Sequence, residues 1–303
     1  GAGSYDAMVI KYDDEGQVEW SRIYGGSSDE DFQSIKQTPD GGYIAAGMTR
    51  TYGSGNHDFL LAKLNSDGSP AWMRLAGGSS YDHASDVILT SDGGYLVTGQ
   101  SFSYGAGSYD AAILKYTSSG VLSWSRTLGG SSVEMGYKSI ECNNGDFLVC
   151  GGTVTYGSGS YDALAARFSS TGSHQWTRIL GGSDYENMID AYELPSGDLL
   201  VGGLTHSYGN GNIYLTSLSS TGSVQWTRSY GGSGTESMSS FNPTSDGGFV
   251  VACTGDSYPG PSDDILLMKL NSSYNVIWVS ALGSSNDDYV PEAIEQPDGL
   301  FCM

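Results

Sequence analysis

Six tryptophans recur along this chain at an almost constant interval, and this repeat constrains the fold more than any other feature. Successive spacings are 52, 52, 52, 50 and 52 residues, and the positions are Trp20, Trp72, Trp124, Trp176, Trp226 and Trp278. A fixed period of this size indicates a propeller or a solenoid built from one repeated supersecondary unit. The period therefore outranks local propensity as a guide to the architecture.

Each unit contains four short runs of β-forming residues separated by turn residues. In the first complete unit we predict strands over 32–38, 43–48, 59–64 and 71–75. Asp-Gly and Ser-Gly pairs between such runs are hairpin signals. The third run is apolar at nearly every position, which predicts burial on both faces. Four antiparallel strands per unit are typical of a propeller blade, and we label them A to D from the axis outward.

The predicted fold is therefore all-β: a single six-bladed β-propeller of four-stranded antiparallel blades, spanning residues 1–303. The chain begins on a C–D pair (7–12 and 18–24) and ends on an A–B pair (290–296 and 300–303). We expect strands from both ends to close the last blade, which removes open edges. The predicted blades are approximately 30–76, 82–128, 134–180, 186–230, 236–282, and 288–303 together with 1–24.

The residues around each tryptophan repeat too, since arginine follows two residues later and Gly-Gly five residues later in five of the six units. With the recurring Asp-Ala opening and the Asp-Gly-Gly turn, the units resemble the bacterial β-propeller repeat often labelled SBBP, over essentially the whole chain. This resemblance implies secreted or surface-displayed, modular proteins, mostly without assigned activity, and it carries over no catalytic residue. Asn212 in the fifth unit and Ser280 in the sixth depart from the pattern, so we expect those blades to differ in loop structure or binding.

The charge balance narrows the range of partners. The 303 residues include 13 basic and 34 acidic ones, a formal net charge of −21. Such a surface repels phosphate backbones and anionic lipids, so we expect no nucleic-acid partner. No apolar run approaches the roughly 20 residues that cross a bilayer, and we expect no membrane insertion. The opening residues belong to the repeat and do not resemble a signal peptide, so we expect a processed product or part of a longer protein.

The four cysteines share no repeat position and no metal-ligand spacing. We interpret all four as small buried hydrophobic residues, and they are Cys142, Cys150, Cys253 and Cys302. Their disulfide state stays open at this point.

Two acidic positions recur in register with the tryptophans. Ten residues after each Trp stand Glu30, Asp82, Glu134, Glu186, Glu236 and Asp288. Fourteen residues before it stand Asp6, Asp58, Asp110, Asp162, Asn212 and Asp264. The D–A and B–C loops of an antiparallel blade leave at the same face, so we place both sets there. Loop tyrosines join them as candidate ligand contacts: Tyr52, Tyr104, Tyr109, Tyr156, Tyr161 and Tyr258.

Two interpretations of these acids are open. Carboxylates grouped with backbone carbonyls of glycine-rich loops supply the oxygen ligands that Ca²⁺ needs, so the sets are candidates for ligand or cation binding. Alternatively, each carboxylate accepts hydrogen bonds from backbone N–H groups of its own loop, as Asp often does. Recurrence in nearly every blade favours this second, structural interpretation. We therefore expect no cofactor, with structural Ca²⁺ as the alternative.

The basic residues also follow the repeat, which indicates a structural role. Strand C carries Lys11, Lys63, Lys115, Arg167 and Lys269 at one position. We expect this side chain to lie beside the Trp across the C–D hairpin, with stem packing or a cation–π contact.

No catalytic motif stands out. The four histidines occupy four different repeat positions, and no serine-hydrolase elbow, zinc-protease or P-loop pattern is present. One strand-A position varies between copies, which is expected either of a water-filled channel or of a specific site: Ser34, Asp86, Lys138, Asp190, Ser240 and Glu292. Asn271 begins an Asn-Ser-Ser sequon in a predicted C–D turn and is a glycosylation candidate.

These observations favour a non-enzymatic extracellular or cell-surface module, structural or adhesive, within a larger protein or assembly. Its expected partners are another protein or further copies of itself. One alternative is a glycan-binding propeller that uses the tyrosines and acids of the D–A/B–C face. Another is a glycoside hydrolase with a carboxylate pair in the central channel.

Overall fold

The structure is a computed structural model that describes residues 3–209, 211–256, 263–284, 286–289 and 292–302. All regular secondary structure in these ranges is β-strand. The strands are β1 Ala7–Tyr12, β2 Val18–Tyr24, β3 Glu30–Gln37, β4 Tyr43–Thr49, β5 Asp58–Leu64, β6 Pro70–Ala76, β7 Asp82–Leu89, β8 Tyr95–Ser101, β9 Asp110–Tyr116, β10 Leu122–Leu128, β11 Glu134–Glu141, β12 Phe147–Thr153, β13 Asp162–Phe168, β14 His174–Leu180, β15 Asp190–Glu193, β16 Leu199–Thr205, β17 Asn212–Leu218, β18 Val224–Tyr230, β19 Glu236–Pro243, β20 Phe249–Gly255, β21 Asp264–Leu270, β22 Val276–Leu282, β23 Ile294–Glu295 and β24 Phe301–Cys302. Within these ranges, no helix has the length and apolar composition that a membrane span requires.

The strands form sheets in chain order. Five sheets have four strands each, namely β3–β6, β7–β10, β11–β14, β15–β18 and β19–β22. The pairs β1–β2 and β23–β24 form two-stranded sheets and carry the strands expected of a divided sixth blade. The predicted all-β propeller class is thus confirmed, and the sheets are consistent with six blades.

The chain divides into two compact units. One comprises Gly1–Val149 with Phe168–His174, and the other Cys150–Arg167 with Gln175–Met303. Closure of the sixth blade by both chain ends, and a single domain over 1–303, stay predictions.

Predicted and observed strands agree within two residues in the first complete unit. Strand C is buried along its whole length in β5, β9 and β13, as the apolar runs predicted. In the first of the two compact units, Phe59, Leu61 and Leu114 pack with Val87 and Val97. In the second compact unit, a corresponding hydrophobic cluster contains residues of β16 to β21. Each fully buried side chain of this size contributes about 1.5–3 kcal/mol, so the blade faces supply the core.

The repeated Trp and Arg of strand D contact the C–D turn of the following blade. Trp124 Nε1 donates to Ser170 O at 3.1 Å, and Arg126 Nε donates to Gly172 O at 2.7 Å. The Arg126 guanidinium also lies 5.7 Å from the Trp124 ring centroid, within cation–π range. In the second compact unit, Arg178 Nε donates the equivalent hydrogen bond to Gly222 O, at 2.7 Å. This pairing therefore joins one blade to the next.

The strand-C lysine lies opposite the Trp, as expected, but its ammonium binds elsewhere. Lys115 pairs with Trp124 across the hairpin, and its Nζ contacts Asp92 of the A–B turn at 2.9 Å and Tyr116 O at 3.1 Å. The cation–π partner of the Trp is thus Arg126. The repeat uses its lysine to fasten the Asp-Gly-Gly turn to strand C.

One expectation about the cysteines is wrong. All four are free thiols, and three are buried, but Cys302 is exposed. It lies on the short strand β24 near the end of the chain, so strand burial does not extend to it. Burial raises the pKa of the Cys253 thiol to about 12, which keeps this group protonated and unreactive.

Candidate functional site

In most copies the two repeated acidic positions each open a strand. Glu30 and Asp82 are the first residues of β3 and β7, and Asp58 and Asp110 are the first residues of β5 and β9. Most members of both sets are buried, while Asp6, Asn212 and Asp288 are partly exposed. They are therefore components of the blade ends and not a fringe of free surface charge.

The structure brings the two sets together in pairs, one from each set, around the first glycine of the Gly-Gly loop. A Cβ on Gly129 would lie 2.6 Å from Glu134 Oε2 and closer still to Asp110 Oδ1, so only glycine fits. The same arrangement recurs at Gly25, Gly77, Gly181 and Gly231. The repeated spacing thus brings one residue of each set close together at each of these glycines. The sequence predicted that both sets lie on one face, but not that they form pairs.

These acids accept hydrogen bonds from their own loops. Glu30 accepts from Gly26 N at 2.7 Å, from Thr51 N at 3.1 Å and from Thr49 Oγ1 at 2.8 Å. Asp58 accepts from Ser54 N at 3.1 Å and Gly55 N at 3.2 Å. Both oxygens of Glu30 are therefore engaged in holding the loop, which is the arrangement that the structural interpretation requires.

The two members of the Asp162–Glu186 pair differ in acidity. Burial raises the pKa of Asp162, and the nearby charge of Glu186 raises it further, against hydrogen bonds from Gly159 and Ser158. Burial also opposes ionisation of Glu186, but hydrogen bonds from Gly182, Ser207 and Thr205 outweigh it and lower the pKa. This pair thus combines an acid held in its charged form with one that its surroundings push toward neutrality.

No group of three or more Asp, Glu, His or Cys side chains in the described ranges is arranged to hold a metal ion. A cation at one of these pairs would therefore depend on two side chains at most, with backbone carbonyls for the remaining ligands. The expectation of no cofactor stays a prediction, with structural Ca²⁺ as its alternative.

The candidate tyrosines differ in exposure. Tyr52, Tyr104 and Tyr156 are exposed, at 51%, 56% and 45%. Tyr161 is buried and stacked on Tyr185 at 5.1 Å, so contrary to expectation it presents no ring to a ligand. Tyr109 is partly buried beside Phe102. Tyr258 lies outside the described residues.

Two cavities occupy equivalent positions of the repeat, one in each of the two compact units. The cavity in the first unit has a volume of about 440 Å³, and its lining includes Phe59, Leu114, Leu122 and Tyr104. The cavity in the second unit measures about 200 Å³ and is more polar, because Tyr214 and Thr216 replace Ala112 and Leu114; its lining also includes Tyr208 and Glu186. The same junction of the fold therefore has different linings in different copies, a difference that a Trp-aligned comparison of the units could have found.

The variable strand-A position links blades. Asp86 is buried and accepts from Ser139 N at 3.1 Å and from Ser34 Oγ at 3.1 Å. In the second unit, Asp190 accepts from Phe241 N at 3.0 Å. These two carboxylates thus bridge neighbouring inner strands, and whether the position lines a channel or forms a specific site stays a prediction. Asn271 lies in the β21–β22 turn as predicted, and its Oδ1 accepts from Ser273 N and Asn275 N.

Comparison with known proteins gives the family. Residues 2–228 match the sequence model of the family described as outer membrane protein assembly factor BamB. This chain belongs to that family. The regulatory protein FlaEY of Caulobacter vibrioides is 28% identical over 182 residues, which cover 54% of this chain and 19% of that protein. The chain thus spans about a fifth of the length of this curated relative.

Several solved structures share the fold at low identity. A protein of unknown function from Bacteroides caccae has a TM-score of 0.56 at 13% identity, covering 93% of this chain and 92% of that one. A puromycin hydrolase mutant reaches 0.52 at 16%, covering 94% of this chain and 44% of that one. Apocarotenoid oxygenase from Synechocystis reaches 0.51 at 11%, covering 87% and 64%. At these identities the likeness concerns the fold alone, and the finer resemblance to SBBP repeats stays a prediction.

Proposed function

We propose that this propeller is a non-enzymatic protein-interaction module that works in the cell envelope or at the cell surface as part of a larger protein or assembly. The observation that carries the proposal is how the repeated side chains are used. The loop acids hold their own loops, and the Trp and Arg of strand D hold the next blade, as Glu30 and Arg126 illustrate. The repeated charges therefore build a scaffold, and its outer surface is free to bind.

The relatives support an interaction role. The family description names a factor in outer membrane protein assembly, and the relative FlaEY is a regulatory protein much longer than the matching segment. Both fit a module that acts through contacts with other proteins. We extend this to a secreted or surface location, in agreement with the SBBP-like repeats, and to a structural or adhesive role there.

The inner-strand acids give no support to the hydrolase alternative. A glycosidase needs two carboxyl groups that reach a substrate, roughly 5–10 Å apart. Asp86 and Asp190 are buried and bonded to backbone N–H groups of neighbouring strands. Each is better placed to hold a blade than to meet a sugar.

Chemical cross-linking of the full-length protein in its native cells, followed by affinity purification, tests the interaction role. We expect one or more partners in fixed stoichiometry, retained in a variant in which Asp86 is replaced by Asn. Recovery of the protein without any cross-linked partner, together with turnover of a defined glycan that Asp86→Asn abolishes, would contradict the proposal.

A glycan-binding role is the second candidate, favoured by the cavity in the first unit. Exposed Tyr104 lines this cavity together with apolar side chains, and its ring could stack against a sugar face. We expect binding on a glycan array to be lost in Tyr104→Ala and kept in Tyr52→Ala, because Tyr52 is equally exposed but does not line this cavity. No signal on a broad array would remove this candidate.

A further inference from the structure

The outer strand β22 differs from its five counterparts because it carries no charged side chain. Each of the others, β2, β6, β10, β14 and β18, has an arginine two residues after its Trp. In four of them the arginine side chain also donates a hydrogen bond to the carbonyl oxygen of the preceding residue. For example, Arg126 Nη1 donates to Ser125 O at 2.7 Å. Ser280 takes this position in β22, so the strand has neither the charge nor the long side chain.

Most side chains of β22 are apolar, and several of them are exposed. Val276, Ile277 and Leu282 are 46%, 54% and 59% exposed. At the position of Ile277 the other copies have smaller or polar residues, which are Glu19, Ala71, Ser123, Gln175 and Gln225. Natural sheets protect their edges with charges or proline, because an exposed apolar edge strand pairs readily with another chain. β22 has none of these protections.

One side of β22 is available for pairing. The strand pairs with β21 on one side and with no described strand on the other. A bulge at Ile277 interrupts the ladder, so the regular stretch runs over 278–282. Its residues Trp278 and Val279 are β-branched or aromatic, which favours an extended partner.

Negative charge gathers at the Leu282 end of this strand. Ile265 pairs with Leu282, and the loop residues beside them bring together five carboxylates: Asp256, Asp263, Asp264, Asp287 and Asp288. We call these five residues the acidic corner. None of them forms an ion pair with another described residue.

The surroundings of the acidic corner favour a positive charge. Burial raises the pKa of Asp263, and the charges of Asp287, Asp256 and Asp264 raise it further. Asp264 is 5% exposed, and its Oδ1 has no hydrogen-bond partner among the described residues. A positive charge placed here would relieve the repulsion between these groups.

We propose that β22 is a docking edge for an extended segment of a partner protein, apolar at alternate positions and ending in Lys or Arg where it meets the acidic corner. This inference rests on the proposed interaction role and names its surface. Main-chain hydrogen bonds to 278–282 supply affinity, and the basic end sets direction and specificity. A second copy of this chain is a poor occupant, because its net charge of −21 opposes close approach.

Synthetic peptides test the edge directly. A fluorescent peptide with a Thr-Val-Thr-Val-Thr-Val core and a Lys-Lys pair, placed at either end in two versions, is titrated against the full protein. We expect one version to bind at least tenfold more tightly than its Glu-Glu equivalent, and raised salt to weaken it. Failure of both Lys peptides to bind, or equal binding of the Glu peptide, would overturn the inference.

The repeat itself supplies the matched variants. Ser280→Arg installs the arginine that the other copies carry, and we expect it to weaken binding at least tenfold. Ser229→Arg puts the same side chain on exposed β18 and should change the affinity less than twofold. Thermal unfolding verifies the fold of each variant, and the shorter Ser280→Lys replaces Ser280→Arg if that variant is destabilised.

Running Ser280→Arg in the native cross-linking experiment separates this inference from the proposed function. Loss of the partner in this variant supports the docking edge. A partner retained by both the wild type and Ser280→Arg leaves the interaction role standing and refutes the edge. Absence of any partner for the wild type refutes the interaction role.

Discussion

Lys63 and Asp40 show at the residue scale what the recurring charges of this chain do. Lys63 is 7% exposed, and its Nζ lies 3.0 Å from Asp40 and 3.1 Å from Leu64 O. Hydrogen bonds from Thr38 and from Lys63 lower the pKa of Asp40 to about 2. The same contact recurs between Lys115 and Asp92 and between Lys269 and Asp246. In each of three blades, therefore, a buried lysine ammonium forms an ion pair with an exposed carboxylate of the A–B turn.

This contact predicts a loss of stability in acid. A carboxyl whose pKa falls on folding stabilises the protein fully above its unfolded pKa of about 4, and that contribution disappears as the pH falls toward 2. We expect Asp40→Asn to lower the free energy of unfolding by about 1 kcal/mol at pH 7 and to flatten its pH dependence between 4 and 2. Urea unfolding across that range measures both effects. Asp14→Asn, at an exposed turn position, should change neither; equal effects of the two variants would contradict this reading.

Asn212 offers a natural test of the acid pairs. It replaces the aspartate of the other copies and faces Glu236 across Gly231. Because burial and the partner's charge raise the pKa of Asp110 and of Asp162 in equivalent pairs, Asn212→Asp should lower the melting temperature at pH 7. The difference in melting temperature from the wild type should become smaller toward pH 4, because protonation removes the buried charge of the new aspartate. A rise in melting temperature that calcium produces and a chelator reverses would instead support a cation site.

At the scale of elements, the sequence predicts the regular strands well and their ends poorly. Apolar runs and Asp-Gly turns located β3 to β6 within two residues, because strand C is buried on both faces and hairpin turns need particular residues. The burial of Tyr161 escaped prediction, because it depends on stacking against Tyr185 from the loop between β14 and β15. The exposure of Cys302 escaped for a similar reason, since β24 is too short for its composition to show what covers it. The pairing of acids also depends on contacts between consecutive blades, which spacing alone does not show.

The C–D turns give a prediction at this scale. Gly120 has φ 75°, and a Cβ there would lie 2.9 Å from the Trp72 ring. Gly93, in the A–B turn of the same blade, has φ 78°, but a Cβ there would meet nothing within 4 Å. We expect Gly93→Ala to cost about 1 kcal/mol for its backbone conformation, and Gly120→Ala to cost about 1–3 kcal/mol more because the ring must move. Equal losses in chemical denaturation would show that the Trp contact contributes little to blade packing.

At the scale of the whole molecule, the six copies agree where they build blades and differ where they could bind. The repeat period predicted the fold class, and the structural role expected of the repeated basic residues is seen at Lys115 and Arg126. The missing arginine at Ser280 was visible in the sequence. The exposure of this strand and the five carboxylates near its Leu282 end became visible only in the structure. We therefore expect function to follow from the departures from the repeat more than from the repeat itself.

Photo-cross-linking from one repeat position in every outer strand tests this central claim most directly. A photoreactive residue is placed, one variant at a time, three residues after each Trp in the full-length protein and activated in its native cells; the positions are Ile23, Leu75, Thr127, Ile179, Ser229 and Ala281. We predict a discrete cross-linked partner from Ala281 on β22, at a yield several times that of the five equivalent positions. Equal yields from all six strands, or no product from Ala281, would contradict the account.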